Sequence, residues 1–152
     1  MFDQLNRNID NYRDEIVANS QDLVKIKSVE TNSREGQPFG VGVNKSLEKT
    51  LELADELGFK TKNIDGYAGY AEIGKGEEMM GILCHLDVVP EGSDWTYPPY
   101  GAEIHGNKIY GRGILDDKGP AIAALFAMKA VKESNIELNK RVRIILGTDE
   151  ET

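Results

Sequence analysis

Cysteine is all but missing from this sequence. Cys84 stands alone among 152 residues, so no disulfide can close within the chain, and a reducing compartment is the natural setting. Long apolar runs are missing too: the longest, Ala121 to Met128, falls far short of the ~20 residues that span a bilayer. The first ten residues lack the basic stretch followed by an apolar stretch that marks a secretory leader. Together these absences predict a cytoplasmic protein with no membrane partner. Basic residues are the minority charge, 18 against 26 acidic, for a net charge of -8. A chain so acidic offers little surface for neutralising phosphates, so nucleic acid is excluded as a partner and small molecules or peptides are favoured.

What is present suits one folded domain. Hydrophobic residues make up 39% and charged residues 29%, too apolar a mixture for disorder. Phe2, Leu5, Ile9, Tyr12, Ile16 and Leu23 recur at helical spacing, which predicts one amphipathic helix ending near Lys27 and docked on a sheet. A polar loop follows, then a second helix over about Val43 to Leu57, closed by Gly58. Segments 59–64 and 67–73 flank Asp65-Gly66, a two-residue hairpin signal. The next strand, MMGILCHLD, has a continuous apolar centre, the pattern of a strand covered on both faces. A loop from Val88 to Tyr100 and a small hairpin turning at 105–107 lead to a buried helix with Pro120 in its first turn. The strand 141–147 completes a βαβ unit with a parallel pair.

In parallel α/β sheets, ligands bind beyond the carboxyl ends of the strands. His85 and Asp87 leave one such end, and Asp149, Glu150 and Glu151 leave the other. Asp116 and Asp117 stand at the start of the connecting helix, where carboxylates are welcome. So many carboxylates converging on one edge require a positive charge among them, and histidine mixed with carboxylates favours zinc or a similar transition metal over magnesium or calcium. Blander roles compete at each position. A strand-end histidine is by default a satisfied polar group, Glu150 and Glu151 a solvated acidic end, and one of Asp116 and Asp117 an N-cap. Cys84 points away from His85 and reads as a core residue, as do Met79, Met80 and Met128. His105 belongs to a turn, and Trp95 and Tyr97 to loop packing. GRGILDDKG lacks the spacing of a phosphate loop, so its glycines serve a tight entry into the helix.

Taken together, CHLDVVPEGSDW, YGRGILDDKGP and GTDEET resemble, in order, the motifs of the co-catalytic zinc exopeptidases related to aminoacylase and glutamate carboxypeptidase, with the PepV-type dipeptidases the best match. The resemblance implies an α/β fold, a zinc-exopeptidase-like mixed sheet with helices on both faces (α/β/α), incomplete because truncated. Residues 1–152 would be the N-terminal part of the catalytic zinc-binding domain, without the lid domain and the C-terminal part of the catalytic domain. It implies that His85 binds one zinc, Asp116 bridges two, Glu151 binds the second, Asp87 orients His85 and Glu150 is the general base. Asp117 would follow the bridging ligand without binding metal, across a strained 116–117 peptide bond. The implied reaction is hydrolysis of unblocked dipeptides by a dizinc-activated water, with manganese or cobalt as alternate metals and specificity set by the lid. Two other readings stand beside it: an N-acyl amino acid deacylase of the same clan, from which DDKGP at 116–120 leans away, and a non-catalytic binding or structural fragment. The resemblance also implies that a chain of this length is inactive alone and leaves strand 141–147 without neighbours. The oligomeric state has no signature in the sequence.

Overall fold

The 3.6-residue period of the first segment forms helix, but not one helix. In the computed structural model, which describes residues 2–134 and 136–152, α1 spans Phe2–Asn11 and α2 spans Arg13–Val24. Tyr12 interrupts them with φ −89° and ψ 2°, and its N–H is shared between the carbonyls of Asn8 and Ile9 at 3.2 and 3.0 Å. The cause is tertiary: the buried Tyr12 ring tilts against Phe126 at 5.9 Å, and its hydroxyl donates to Glu133. Both residues belong to helix α4 (Lys118–Glu133), on which the apolar face of α1 and α2 chiefly packs, in place of the expected sheet. The side chain of Phe2, expected on that face, lies outside the described residues.

Helix α3 (Val41–Glu56) is closed by Gly58 at φ +73°, whose N–H donates to the Asp55 carbonyl at 2.7 Å. Strands β1 (Lys60–Ile64) and β2 (Ala68–Ile73) pair antiparallel, with Ile64 opposite Ala68. The turn therefore holds three residues, Asp65, Gly66 and Tyr67, not two. Asn63 Oδ1 accepts the Gly66 N–H at 2.8 Å and draws the chain into the wider turn. After β3 (Met79–His85) come the small hairpin β4 (Glu103–His105) and β5 (Lys108–Tyr110), then α4 and β6 (Arg141–Gly147).

The main sheet runs β1-β2-β6-β3, with β6 antiparallel to β2 and parallel to β3. The βαβ unit and the mixed α/β class are therefore as the sequence indicated. Ala71, Ile73, Cys84, Ile144 and Leu146 share one face and form a single core with Leu47 and Leu51 of α3 and Ile122, Leu125 and Phe126 of α4. The described helices gather on that face. On the other, Leu83 is 78% exposed and Gly81 has open space above it; of the two helical layers expected, the described residues supply one. Strand 141–147 is not left bare, because β6 lies between β2 and β3. The uncovered apolar surface is on β3 instead, where Met79 and Met80 are exposed, so only Met128 fills core. An apolar run in a strand reads the same whether or not its second face is covered.

Candidate metal centre

Strand register builds the site. His85 is the parallel partner of Gly147, so the chain leaves β3 and β6 side by side. The pairing continues one step further, with the Leu86 N–H donating to the Gly147 carbonyl at 3.0 Å. Ser28 then pins the segment after β3: its hydroxyl donates to Leu86 O at 2.7 Å and its carbonyl accepts the Val88 N–H at 3.1 Å. Between these two anchors Asp87 is 2% exposed. Its Oδ2 accepts the N–H groups of Glu150 and Glu151, each at 2.9 Å. One buried carboxylate thus holds the backbone of both glutamates. Thr148 ties the same strand end to the β1–β2 turn, its hydroxyl lying 3.0 Å from Gly66 O and 2.6 Å from Tyr67 O.

The third acidic group arrives through GRGILDDKG. Gly119 has no room for a side chain, since a Cβ there would lie 2.1 Å from the Ile114 carbonyl oxygen, and Gly113 adopts φ +86°. The tight entry read from these glycines is present. The Asp116–Asp117 peptide bond is cis. Asp117 occupies the N-cap position of α4 without capping through its side chain; its Oδ2 accepts the backbone N–H of His85 at 3.2 Å. The neighbouring Lys118 is fully buried and donates to the carbonyls of Leu23 and Ile26 at 3.1 and 2.7 Å, at the C-terminal end of α2. Burial pushes its amine down to about 7, against an opposing pull from Asp87.

The imidazole of His85 faces two different environments. Nδ1 lies 3.2 Å from the Asp87 carbonyl oxygen and 3.5 Å from its Oδ1. A carbonyl only accepts, so Nδ1 carries the proton and the Nε2 lone pair points outward. There it meets Asp116 Oδ1 at 3.0 Å and Glu150 Oε2 at 3.9 Å. Lone pair facing carboxylate is repulsive unless a proton or a cation lies between them. Burial alone would depress the His85 pKa, but Asp116, Asp87 and Glu150 outweigh it and raise the value. Donor atoms of His85, Glu150 and Glu151 lie within 4.8 Å of one another, and the buried Asp87 Oδ1 has no hydrogen-bond partner among the described residues. One imidazole nitrogen among several carboxylate oxygens is a donor set that fits a divalent transition metal.

All five residues singled out, His85, Asp87, Asp116, Glu150 and Glu151, therefore meet at one strand edge. Cys84 turns into the core, and burial foremost, then Asp117, pushes its thiol up to about 12. His105 pairs with Glu103 at 2.8 Å and stacks on Tyr97, and the Trp95 indole donates to Glu91 O at 2.6 Å, as turn and loop residues do. Sequence reasoning missed Lys118 and Thr148. Lys118 had a signal: it is the one basic residue at the head of the apolar run GPAIAALFAM. Thr148, between a glycine and three acids, had none.

A mixed sheet whose strand ends gather histidine and carboxylates makes this an α/β domain with a candidate metal site. Residues 81–152 match the model of peptidase family M20/M25/M40. The chain is 51% identical over 142 residues to "Putative dipeptidase YtjP" of Bacillus subtilis, covering 92% of this chain and 31% of that protein. It thus spans about a third of the length of the curated relatives it matches. Its fold superposes on human carnosine dipeptidase 1 with a TM-score of 0.82 at 23% identity, covering 97% of this chain and 34% of that one. The M20 family metallo-carboxypeptidase Sso-CP2 of Sulfolobus solfataricus gives 0.75 at 30% identity, with 90% and 31% covered. Among the described residues no helix is long and apolar enough to cross a membrane.

Proposed function

We propose that this chain contributes the N-terminal part of the catalytic, zinc-binding domain of a dipeptidase that hydrolyses unblocked dipeptides. The observation that carries the reading is the approach of His85 Nε2 to Asp116 Oδ1 at 3.0 Å, a nitrogen and a carboxylate oxygen that a shared proton or a cation holds together. In this reading His85, Asp116 and Glu151 would hold the zinc, with Asp116 as the ligand shared between two ions; manganese or cobalt would suit the same donors. Bound zinc supplies a water acidified toward a pKa of about 7 and polarises the scissile carbonyl. Asp87 fixes the Nδ1–H tautomer of His85 and keeps Nε2 free to bind metal. Glu150, held at its backbone by Asp87 and exposed at its carboxylate, takes the proton of the attacking water and returns it to the leaving amine. Relatives named as dipeptidases support the substrate class. A lone buried thiol supports a reducing, cytoplasmic setting.

The test is zinc titration and dipeptide hydrolysis by the protein in the length its cell makes, for wild type and Glu150→Gln. Zinc affinity is expected to stay within about threefold while hydrolysis falls by ~10²–10⁴. Full hydrolysis by the variant would overturn the mechanism. Faster cleavage of an acylated amino acid than of a dipeptide would move the assignment to a deacylase.

A further inference from the structure

Two clefts meet at one pair of aromatic rings. The first, about 490 Å³, runs from His85 and Glu150 past Leu83 to Phe39 and Tyr67. The second, about 690 Å³, opens on the far side of the same rings toward Arg34 and Asp65. Phe39 and Tyr67 stand edge to face, 5.6 Å apart at 89°. Neither belongs to the hydrophobic core, and Tyr67 is 61% exposed.

The backbone that carries both rings is nonetheless held in place. The Phe39 carbonyl accepts the Thr31 N–H at 3.2 Å, and the Tyr67 N–H donates to Ile64 O at 2.9 Å. The Tyr67 carbonyl lies 2.6 Å from the hydroxyl of Thr148, two residues before Glu150. The aromatic pair and the acidic strand end are thus fixed relative to each other through one side chain. The remaining charges along the first cleft, Asp117, Asp149 and Glu150, are all acidic, so an anionic group is repelled there and apolar contact is what the opposite wall offers.

We infer that Phe39 and Tyr67 form the apolar wall of the substrate site and determine specificity: they receive an apolar or aromatic side chain on the residue bearing the scissile carbonyl. The inference rests on the dipeptidase reading and adds to it a preference carried by this chain's own residues. Each added methylene of a well-seated side chain is worth about tenfold or more in selection, and an acidic side chain gains nothing from the same wall.

The experiment is a titration of the ¹⁵N-labelled Glu150→Gln protein, which holds dipeptide without turnover, with leucyl-glycine, glycyl-glycine and aspartyl-glycine, in the presence and absence of zinc. Leucyl-glycine is expected to shift the Phe39, Tyr67 and Thr148 amide signals and to bind about tenfold or more tighter than the other two. Phe39→Ala and Tyr67→Ala are each expected to reduce that preference to below about threefold. Tyr67 sits on an exposed turn, so its variant remains informative if Phe39→Ala fails to fold. Zinc shifts at His85 with no leucyl preference overturn the aromatic wall and leave the dipeptidase reading standing. A leucyl preference that ignores zinc, with no zinc shift at His85, supports the wall and overturns the reading. Loss of both signals overturns both.

Discussion

Asp87 Oδ2 accepts the backbone N–H of Glu150 at 2.9 Å, and that of Glu151 at the same distance. A carboxylate 2% exposed therefore positions the general base proposed here by its main chain. Asp87→Ala leaves two amide donors without their acceptor and removes the carboxylate beside His85 Nδ1, while the main-chain carbonyl at 87 still accepts from the ring. Zinc affinity, followed by calorimetry, is expected to fall ~10–100-fold. Stability in urea is expected to fall by about 1–3 kcal/mol.

Asp116 and Asp117 are adjacent but face different partners: Asp116 Oδ1 meets His85 Nε2, whereas Asp117 Oδ2 meets the His85 main-chain N–H. Asp116→Asn is expected to weaken zinc binding by about tenfold or more, since it removes a charged donor. Asp117→Asn keeps an oxygen acceptor and is expected to change zinc affinity by less than about threefold. Equal losses in the two variants would contradict the separate roles.

Gly119 lies inside a helix, where alanine is ordinarily the better residue by about 1 kcal/mol. Here the added Cβ would meet the Ile114 carbonyl oxygen at 2.1 Å, and backbone must move. Gly119→Ala is expected to lower the thermal midpoint and to weaken zinc binding together, because the displaced corner carries Asp116. A raised midpoint would mean the corner yields freely.

Tyr12 is buried beside Glu133, and burial first, then that carboxylate, pushes its hydroxyl from 10.0 up to about 12. Unfolding exposes a phenol that ionises near its ordinary value. The folded chain therefore binds the proton more tightly, and the stability Tyr12 contributes is intact below pH 10 and lost as the pH rises through 12. Urea midpoints of wild type are expected to fall more steeply over that interval than those of Tyr12→Phe.

The thiol of Cys84, pushed up to about 12, is expected to stay unmodified by iodoacetamide at pH 8 until the protein unfolds, because the thiolate is the reactive form. Rapid alkylation of the native chain would show that β3 opens.

Where the candidate site's residues lie was legible in the sequence to a greater depth than the packing. His85, Asp87 and the acids after β6 lie at strand ends, and a parallel pair brings such ends together whatever covers the sheet. Local pattern carries no information about partners far along the chain, and there the reading failed. Tyr12 continues a helical period perfectly and breaks the helix because Phe126 and Glu133 claim its side chain. Leu83 sits in an apolar run that would suit burial, yet its face is open. Asn63 widened a turn by one residue through a single side-chain hydrogen bond, which left Tyr67 on the turn and at the cleft.

The pairing of His85 with Gly147 also sets an order of events. The donors lie on opposite sides of the α4 crossover, and a parallel pair forms only after that long loop has been closed. An unfolded chain offers an arriving ion scattered carboxylates but no shared pocket. A metal that binds only the finished sheet is expected to slow its unraveling and leave the rate of its assembly unchanged. An ion bound at this edge would work as a latch on a door that has already swung shut.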